Sequence, residues 1–136
     1  MRKRIHFLIV IWMASCLVGC GSNRNIDNVN RNVGVSKQYT EDEINDAMDI
    51  VISYFEKNFK GCTLTDIWYD ENKISSAELK WAETYNAEQA IILLSNFNTD
   101  KNCDASLNPN DIYIDWNWIL VRDNNGKWIL KTWGGA

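Results

Sequence analysis

Carboxylates, tyrosines and lysines are the side chains of this sequence that could perform acid–base chemistry, because the 136 residues include only one histidine, His6. His6 lies in an N-terminal segment that we expect to be removed. The remaining chain would then have no histidine for a Ser-His-Asp triad, a Cys-His pair or a histidine-bound zinc ion. Tyr54, Tyr85, Tyr113 and Asp115 are candidates for proton transfer, but no spacing groups them. We therefore find no catalytic signature and expect neither a cofactor nor a metal ion.

Two cysteines, Cys62 and Cys103, form a disulfide bond or are unrelated small side chains. A bond would close a loop of about 40 residues and stabilise the fold by roughly 3–4 kcal/mol through lost chain entropy. The thiols approach each other only if the strand beginning at Cys62 runs antiparallel to the strand ending near Asn98. A catalytic thiol is not expected, because no histidine is available to form the thiolate.

Four of the seven tryptophans lie near the C-terminus, at Trp116, Trp118, Trp128 and Trp133. Trp116 and Trp118 are two residues apart on one strand and share a face, whereas Tyr113 belongs to the other face. These five aromatic residues either pack under helices as part of the core or form an exposed strip. An exposed strip would bind a glycan, a peptide or a partner protein.

The turn of the last hairpin decides which tryptophans face each other. If the last two residues of Asn124–Gly126 form the loop, Trp118 stands opposite Trp133; if the first two form it, Trp116 stands there. A loop of all three residues with a glycine bulge would put Trp128 on the face of Trp116 and Trp118.

A long helix is specified twice at its start, by the capping-box pair Thr40 and Glu43 and by the hydrophobic staple of Tyr39 and Ile44. Apolar residues then recur at steps of three and four as far as Phe59, and Gly61 supplies a stop signal. The pattern predicts an amphipathic helix with one apolar face.

The remaining elements alternate strand and helix patterns. A strand is predicted over residues 62–70 and a shorter helix from Ser75 or Ser76. An unbroken apolar strand follows in "AEQAIILLSNF", which indicates cover on both faces. After a polar loop from Asn98 to Asn110 come the strands "DIYIDWNWILVRD" and "KWILKTW". We predict an α+β domain, with a curved antiparallel sheet of about four strands and both helices packed on one face.

The N-terminus has the charge-then-hydrophobe order of an export signal, with Arg2, Lys3 and Arg4 before an apolar run over residues 7–18. Those 12 residues are too few to span a bilayer, which needs about 20. Leu17–Cys20 resembles the bacterial lipobox, and Met13–Cys16 is a poorer match. The resemblance implies cleavage before Cys20 and a diacylglycerol on its sulfur, which would anchor the protein on the extracytoplasmic face of a bacterial membrane.

These features predict three segments: a signal peptide over residues 1–19, a lipidated Cys20 with a flexible asparagine-rich tether over 20–38, and one domain over 39–136. Cleavage would lower the number of lysines and arginines from 14 to 11 while all 18 acidic residues remain, so the net charge would become −7. Such a chain is a poor partner for nucleic acid, which requires clustered cations.

The segments "YFEKNFKGCTL", "KWAETYNAEQAIILLSNF" and "LNPNDIYIDWNWILVRDNNGKWILKTWG" resemble a family of small secreted bacterial proteins and lipoproteins of unknown function. The long capped helix and late "NGKWIL" turn resemble the nuclear transport factor 2-like, or cystatin-like, fold. The resemblance covers residues 39–134 and transfers no catalytic residue. We expect a non-enzymatic module that binds a cell-envelope ligand or protein. The alternatives are a small isomerase or dehydratase using Asp/Tyr chemistry and, as a structural role, a homodimer formed through the open sheet face.

Overall fold

The computed structural model describes residues 28–135. The expected signal peptide, the expected lipidation site at Cys20 and the first part of the expected tether lie outside the described residues. The elements follow in the order β1 (Asn30–Asn32), α1 (Glu41–Asn58), β2 (Cys62–Trp68), α2 (Glu71–Thr84), β3 (Gln89–Thr99), β4 (Ile112–Arg122) and β5 (Ile129–Gly134). This order confirms the prediction of an α+β domain with one long and one shorter helix.

The five strands form one sheet in the order β1-β2-β3-β4-β5. The pairs from β2 to β5 are antiparallel, as expected, but β1 is parallel to β2. The sheet is therefore mixed and has five strands, rather than antiparallel with about four.

β1 lies within residues 20–38, which we expected to be a flexible tether. Its residues Asn30–Asn32 are polar and have little intrinsic preference for a strand. The strand forms because β2 offers a free edge: the Tyr69 N–H donates to the Asn32 carbonyl at 3.1 Å. Val29 and Val33, which flank the strand, pack against the core. Part of the expected tether therefore belongs to the packed domain.

α1 begins as its sequence predicts. The Thr40 side chain accepts from the Glu43 N–H, and the Glu43 carboxylate accepts from the Thr40 N–H, so the capping box is complete. The helix ends at Asn58, and Gly61 follows with φ +68°, a conformation that favours glycine. The apolar face is buried as predicted, through Ile44, Ala47, Met48, Val51, Ile52 and Phe55.

α2 begins at Glu71, four residues before the predicted start at Ser75. Asp70 precedes the helix without making a side-chain cap. Instead, the Glu71 carboxylate accepts from the Ser36 hydroxyl at 2.6 Å and the Lys37 N–H at 3.0 Å. These contacts come from a distant part of the chain, so the local sequence did not reveal them.

The two helices lie on opposite sides of the sheet, which differs from the expected packing on one face. α1 packs on the face of Phe97 and Trp118. α2 covers the edge of β3 beyond the end of β2 and packs on the other face, where Ala82 meets Ala90 and Val121. Residues 90–95 of β3 are all buried, which confirms the prediction that this strand is covered on both faces.

Candidate functional site

Two irregularities in the strands bring the C-terminal aromatic residues to the face that α1 covers. In β4, Ser95 pairs with Trp116 but Phe97 pairs with Tyr113, so β4 has one extra residue near Asp115, whose φ is +54°. Tyr113 and Trp116 therefore share a face although they are three residues apart. The expectation that Tyr113 takes the opposite face is wrong, because it assumed strict alternation.

The second irregularity is in β5. Leu120 pairs with Leu130, but Ile119 pairs with Thr132, which leaves Lys131 as the extra residue. Trp118 consequently stands opposite Trp133, with ring centroids 5.9 Å apart. This is the pairing that we associated with an Asn125-Gly126 loop.

The hairpin turn itself has Asn124 and Asn125 at its centre. Both have positive φ, and the Gly126 N–H donates to the Asp123 carbonyl at 2.8 Å. Neither two-residue alternative is therefore correct in full. Asn124 and Asn125 form the turn, but the pairing of β4 with β5 shifts register between the turn and Trp133, so Trp118 rather than Trp116 stands opposite Trp133.

Trp118 and Trp128 are buried core residues. The Trp118 N–H donates to the Ser95 hydroxyl at 2.8 Å, and no part of the side chain is exposed. The Trp128 N–H donates to the Glu43 carbonyl at 3.0 Å. Trp118 is therefore fully used in packing and hydrogen bonding, and Trp128 leaves only a small part of its side chain exposed.

Trp133 and Trp116 line an open cleft, which we call the aromatic cleft. Its volume is about 410 Å³. It lies between the end of α1, strands β4 and β5 and the loop of residues 100–111, and Trp133 is 38 % exposed. The residues that line it are Tyr54, Asn58, Phe59, Asp104, Ser106, Leu107, Trp116, Trp133 and Gly134.

Four aromatic rings form the apolar part of the aromatic cleft. Tyr54 and Trp133 lie with ring centroids 4.7 Å apart and planes inclined at 47°. Phe59 makes edge contacts with Trp116 and Trp133, each at 6.4 Å. These contacts hold the rings in place without covering Trp133, so its exposed part is a preformed apolar platform.

The polar part of the aromatic cleft consists of Asn58, Asp104 and Ser106. One Asp104 carboxylate oxygen accepts from the Ser106 N–H at 2.9 Å and from the Ser106 hydroxyl at 2.8 Å, and these bonds hold the pKa of Asp104 below its usual value. The Asn58 side-chain amide N–H donates to the Tyr54 carbonyl at 3.0 Å. Within residues 28–135, the other Asp104 oxygen and the Asn58 amide oxygen accept no hydrogen bond.

Trp116 carries the one buried side-chain nitrogen or oxygen, among the described residues, that has no hydrogen-bond partner. Its ring is enclosed by Phe97 and Tyr113, with centroids 5.3 Å and 5.5 Å away. An unpaired buried N–H costs about 1–3 kcal/mol, so it is retained only where another benefit compensates for it. Tyr113 stacks on Phe97 at 4.9 Å, and its hydroxyl accepts from the Asn108 N–H, so Tyr113 supports the cleft from behind.

The proposed acid–base residues are not brought together. Tyr54 lies in α1 and contacts Trp118. Tyr85 lies at the C-terminal end of α2, on the other side of the sheet, where it packs against Ala82, Ala90 and Val121. Asp115 is exposed at the irregularity in β4. The arrangement therefore contains no Asp/Tyr pair among these candidates.

A buried carboxylate that the sequence did not reveal lies at Glu78, which is 2 % exposed. The Tyr69 hydroxyl donates to one of its oxygens at 3.3 Å, and the Ile92 N–H donates to the other at 3.4 Å. Burial raises the pKa of Glu78 to about 7, although these two hydrogen bonds lower it in part. Glu78 lies four residues after Ile74 and so falls on the apolar face of α2. This spacing is the sequence signal that could have predicted its burial.

Two tyrosines, Tyr39 and Tyr69, lie near Glu78. Burial, with a smaller effect of the Glu78 charge, raises the pKa values of both hydroxyl groups.

An ion pair joins the start of α1 to β4. Arg122 pairs with Glu43 and lies over the Trp128 ring at 4.2 Å. Burial alone would raise the pKa of Glu43, but hydrogen bonds from Arg122 and Thr40 lower it. These contacts hold α1 against β4 and against Trp128, the residue before β5.

Cys62 and Cys103 are free thiols that the fold places close together. β2 is antiparallel to β3, and Cys62 pairs with Thr99, so the condition set by the sequence for their approach is met. Burial, followed by the neighbouring Cys103, raises the pKa of Cys62 to about 11. A disulfide between them stays a prediction.

In residues 28–135, no three His, Cys, Asp or Glu side chains cluster in a way that could hold a metal ion. No helix in this range has the length and apolarity needed to cross a membrane. Comparison with protein-family models, with curated proteins and with solved structures gives no match to this chain. The function must therefore be argued from the site.

Proposed function

We propose that this protein is a bacterial lipoprotein, anchored through Cys20 on the extracytoplasmic face of the membrane, whose domain binds a ligand without catalysis. The anchor rests on the basic N-terminus, the short apolar run and the sequence Leu17–Cys20. The resemblance to small secreted proteins with a cystatin-like domain agrees with the α+β fold. The position of α2 beyond the edge of β3 departs from that resemblance.

The observation that carries the binding proposal is the aromatic cleft. Trp133 presents an apolar face, while Asp104 and Asn58 offer free acceptor oxygens at the same opening. The residues that line it include no lysine or arginine. A sugar ring has the matching chemistry, because its C–H face stacks on an indole and its hydroxyl groups donate to carboxylate and amide oxygens. The ligand class that we propose is therefore a neutral saccharide of the cell envelope.

Catalysis is a weaker alternative. A small isomerase or dehydratase would need a desolvated carboxylate and a tyrosine that meet in a cavity. Glu78 and Tyr69 supply such a pair, but neither residue lines the aromatic cleft or any of three other open clefts on the surface of residues 28–135. The pair is enclosed in the packed interior, which favours a structural role.

Self-association is a second alternative, because the face of the sheet opposite α1 is not fully covered. Ile112 and Ile114 of β4 are each 66 % exposed. A homodimer through this open sheet face would bury both side chains. It would leave the aromatic cleft, which lies on the other face, accessible.

The binding proposal is tested with oligosaccharides released from bacterial cell envelopes by enzymatic digestion, titrated into the protein by calorimetry. Trp133→Ala should weaken binding by about five- to thirtyfold, because loss of ring stacking costs about 1–2 kcal/mol. Ile129→Ala is the matched control, since Ile129 is an exposed apolar residue of the same strand outside the cleft. Equal losses in both variants, or no saturable binding by the parent, would contradict the proposal.

The anchor is tested separately by Cys20→Ala. The parent should be found in the membrane fraction and should incorporate labelled fatty acid, and the variant should do neither. Retention of Cys20→Ala in the membrane fraction would show that lipidation of Cys20 is not the anchor. Because this experiment involves no ligand, its result is independent of the binding experiment.

A further inference from the structure

Cys62 and Cys103 meet at the end of the sheet where β3 leads into the loop of residues 100–111. Cys62 is the first residue of β2 and pairs with Thr99, the last residue of β3. The Asp100 N–H then donates to the Gly61 carbonyl at 2.8 Å. The loop therefore starts in direct contact with the residue that precedes Cys62.

The contact between Gly61 and the loop is very close. A side-chain carbon at Gly61 would lie 2.7 Å from the Cys103 nitrogen and 2.8 Å from the Asn102 carbonyl carbon. Only glycine allows this approach, which brings the backbone of Cys103 against the residue before Cys62. Both cysteines are half-buried rather than enclosed in the core.

In the reduced protein, each thiol makes only a weak local contact. The Cys62 sulfur lies 3.6 Å from the Lys60 carbonyl oxygen, and the Cys103 sulfur lies 3.8 Å from the Leu107 carbonyl oxygen. Sulfur is a weak hydrogen-bond donor, so little is lost when the S–H groups are removed. Loss of these two hydrogen bonds therefore opposes oxidation only weakly.

We propose that Cys62 and Cys103 form a dithiol that is oxidised to a disulfide, and that the bond fixes the loop of residues 100–111 against β2. The loop carries Asp104, Ser106 and Leu107 of the aromatic cleft. The bond would therefore fix one wall of the cleft. The proposal concerns the covalent state of the protein and holds whether or not the cleft binds a saccharide.

The oxidant is a small-molecule disulfide or the disulfide of a thiol oxidoreductase. Its two sulfurs accept the two electrons that the protein thiols lose. The Cys103 sulfur, as thiolate, attacks one sulfur of the oxidant, forms a mixed disulfide and releases the first thiol. The Cys62 thiol then loses its proton and attacks the Cys103 sulfur of the mixed disulfide, which releases the second thiol. The raised pKa of Cys62 makes it a slow first nucleophile, which sets this order.

The test uses the full chain in mild detergent, treated with glutathione disulfide, alkylated and digested with trypsin. Cys62 lies in the tryptic peptide 61–73 and Cys103 in the peptide 102–122, whereas Cys16 and Cys20 both precede Arg24 and cannot enter either peptide. We expect peptides 61–73 and 102–122 to be recovered as one disulfide-linked species. Stable glutathione adducts on Cys62 and Cys103 without the linked species would overturn the proposal.

Cys62→Ser is the matched control, since it removes the resolving thiol and keeps the size of the side chain. In this variant Cys103 should retain one glutathione. For the parent, oxidation should raise the midpoint of thermal unfolding by about 15 °C, because closing a loop of about 40 residues stabilises the fold by roughly 3–4 kcal/mol. The midpoint of Cys62→Ser should not rise. A linked species that forms without any rise would overturn the claim that the bond fixes the loop.

Discussion

Glu78→Gln tests whether the buried carboxylate of α2 destabilises the domain at neutral pH. Burial raises the pKa of Glu78 from 4.5 to about 7. The folded state therefore keeps a proton on Glu78 at pH values where the unfolded chain has lost it. The stability that the folded state gains from binding this proton more tightly is complete below about pH 4.5 and disappears as the pH rises through about 7. The difference between the two pKa values corresponds to about 3 kcal/mol.

Glutamine has the shape of glutamate but does not titrate. Its amide oxygen can still accept from the Ile92 N–H, and its amide N–H can donate to the Tyr69 hydroxyl oxygen. We expect Glu78→Gln to raise the free energy of unfolding by about 1–3 kcal/mol at pH 8.5 and to change it little at pH 5. The parent should lose stability between these pH values, and the variant should lose less.

Urea unfolding from pH 5 to pH 8.5, at constant ionic strength, measures this difference. The pH window lies above the range where carboxylates of lowered pKa, such as Glu43 and Asp104, influence stability. Glu83→Gln is the matched control, because it removes the same charge from an exposed position of α2. Parallel pH profiles for Glu78→Gln and the parent would refute the reasoning.

Three further substitutions test the contacts that define the fold. Gly61→Ala should destabilise the domain by about 1–3 kcal/mol in urea unfolding, because φ is +68° and the Cys103 backbone lies too close, whereas Gly134→Ala has open space and should change it by under about 1 kcal/mol. Thr40→Ala should lower the free energy of unfolding by about 1 kcal/mol through loss of the helix cap, and an unchanged thermal midpoint would contradict this. Tyr39→Phe should cost about 1–3 kcal/mol, because the Ala90 carbonyl loses its 2.6 Å hydrogen bond. Unfolding at the parental urea concentration would show that this bond contributes nothing.

The elements that local sequence specifies were predictable. The start of α1 is fixed by Thr40 and Glu43, and its buried face follows from the spacing of apolar residues. The unbroken apolar run of β3 correctly indicated cover on both faces. By contrast, β1 and the start of α2 depend on contacts with distant residues. The missed pairing of Glu71 with Ser36 illustrates this, because no local pattern records a hydrogen bond between residues so far apart.

The candidate site was predictable in its residue types but not in its arrangement. Of the four tryptophans that the sequence offered as a binding surface, Trp116 and Trp133 line the aromatic cleft, and their role in binding stays a prediction. Strict alternation then failed, because one extra residue in each of β4 and β5 changes which side chains share a face. Glu78 was overlooked because a glutamate on a helix is usually exposed, and its burial depends on the edge of β3 that α2 covers.

β1 sets the reach of the proposed lipoprotein. With a tether as long as residues 20–38, the domain could move up to about 60 Å from the bilayer, since an extended residue spans at most about 3.3–3.6 Å. Because β1 is paired with β2 from Asn30 onward, only residues 21–29 would connect the lipidated Cys20 to the domain. Their maximum span is about 30 Å. The aromatic cleft lies towards the opposite edge of the sheet, at β4 and β5. The anchored protein would therefore sample a thin layer next to the membrane, with its β1 edge nearest the anchor and its cleft directed away from that edge.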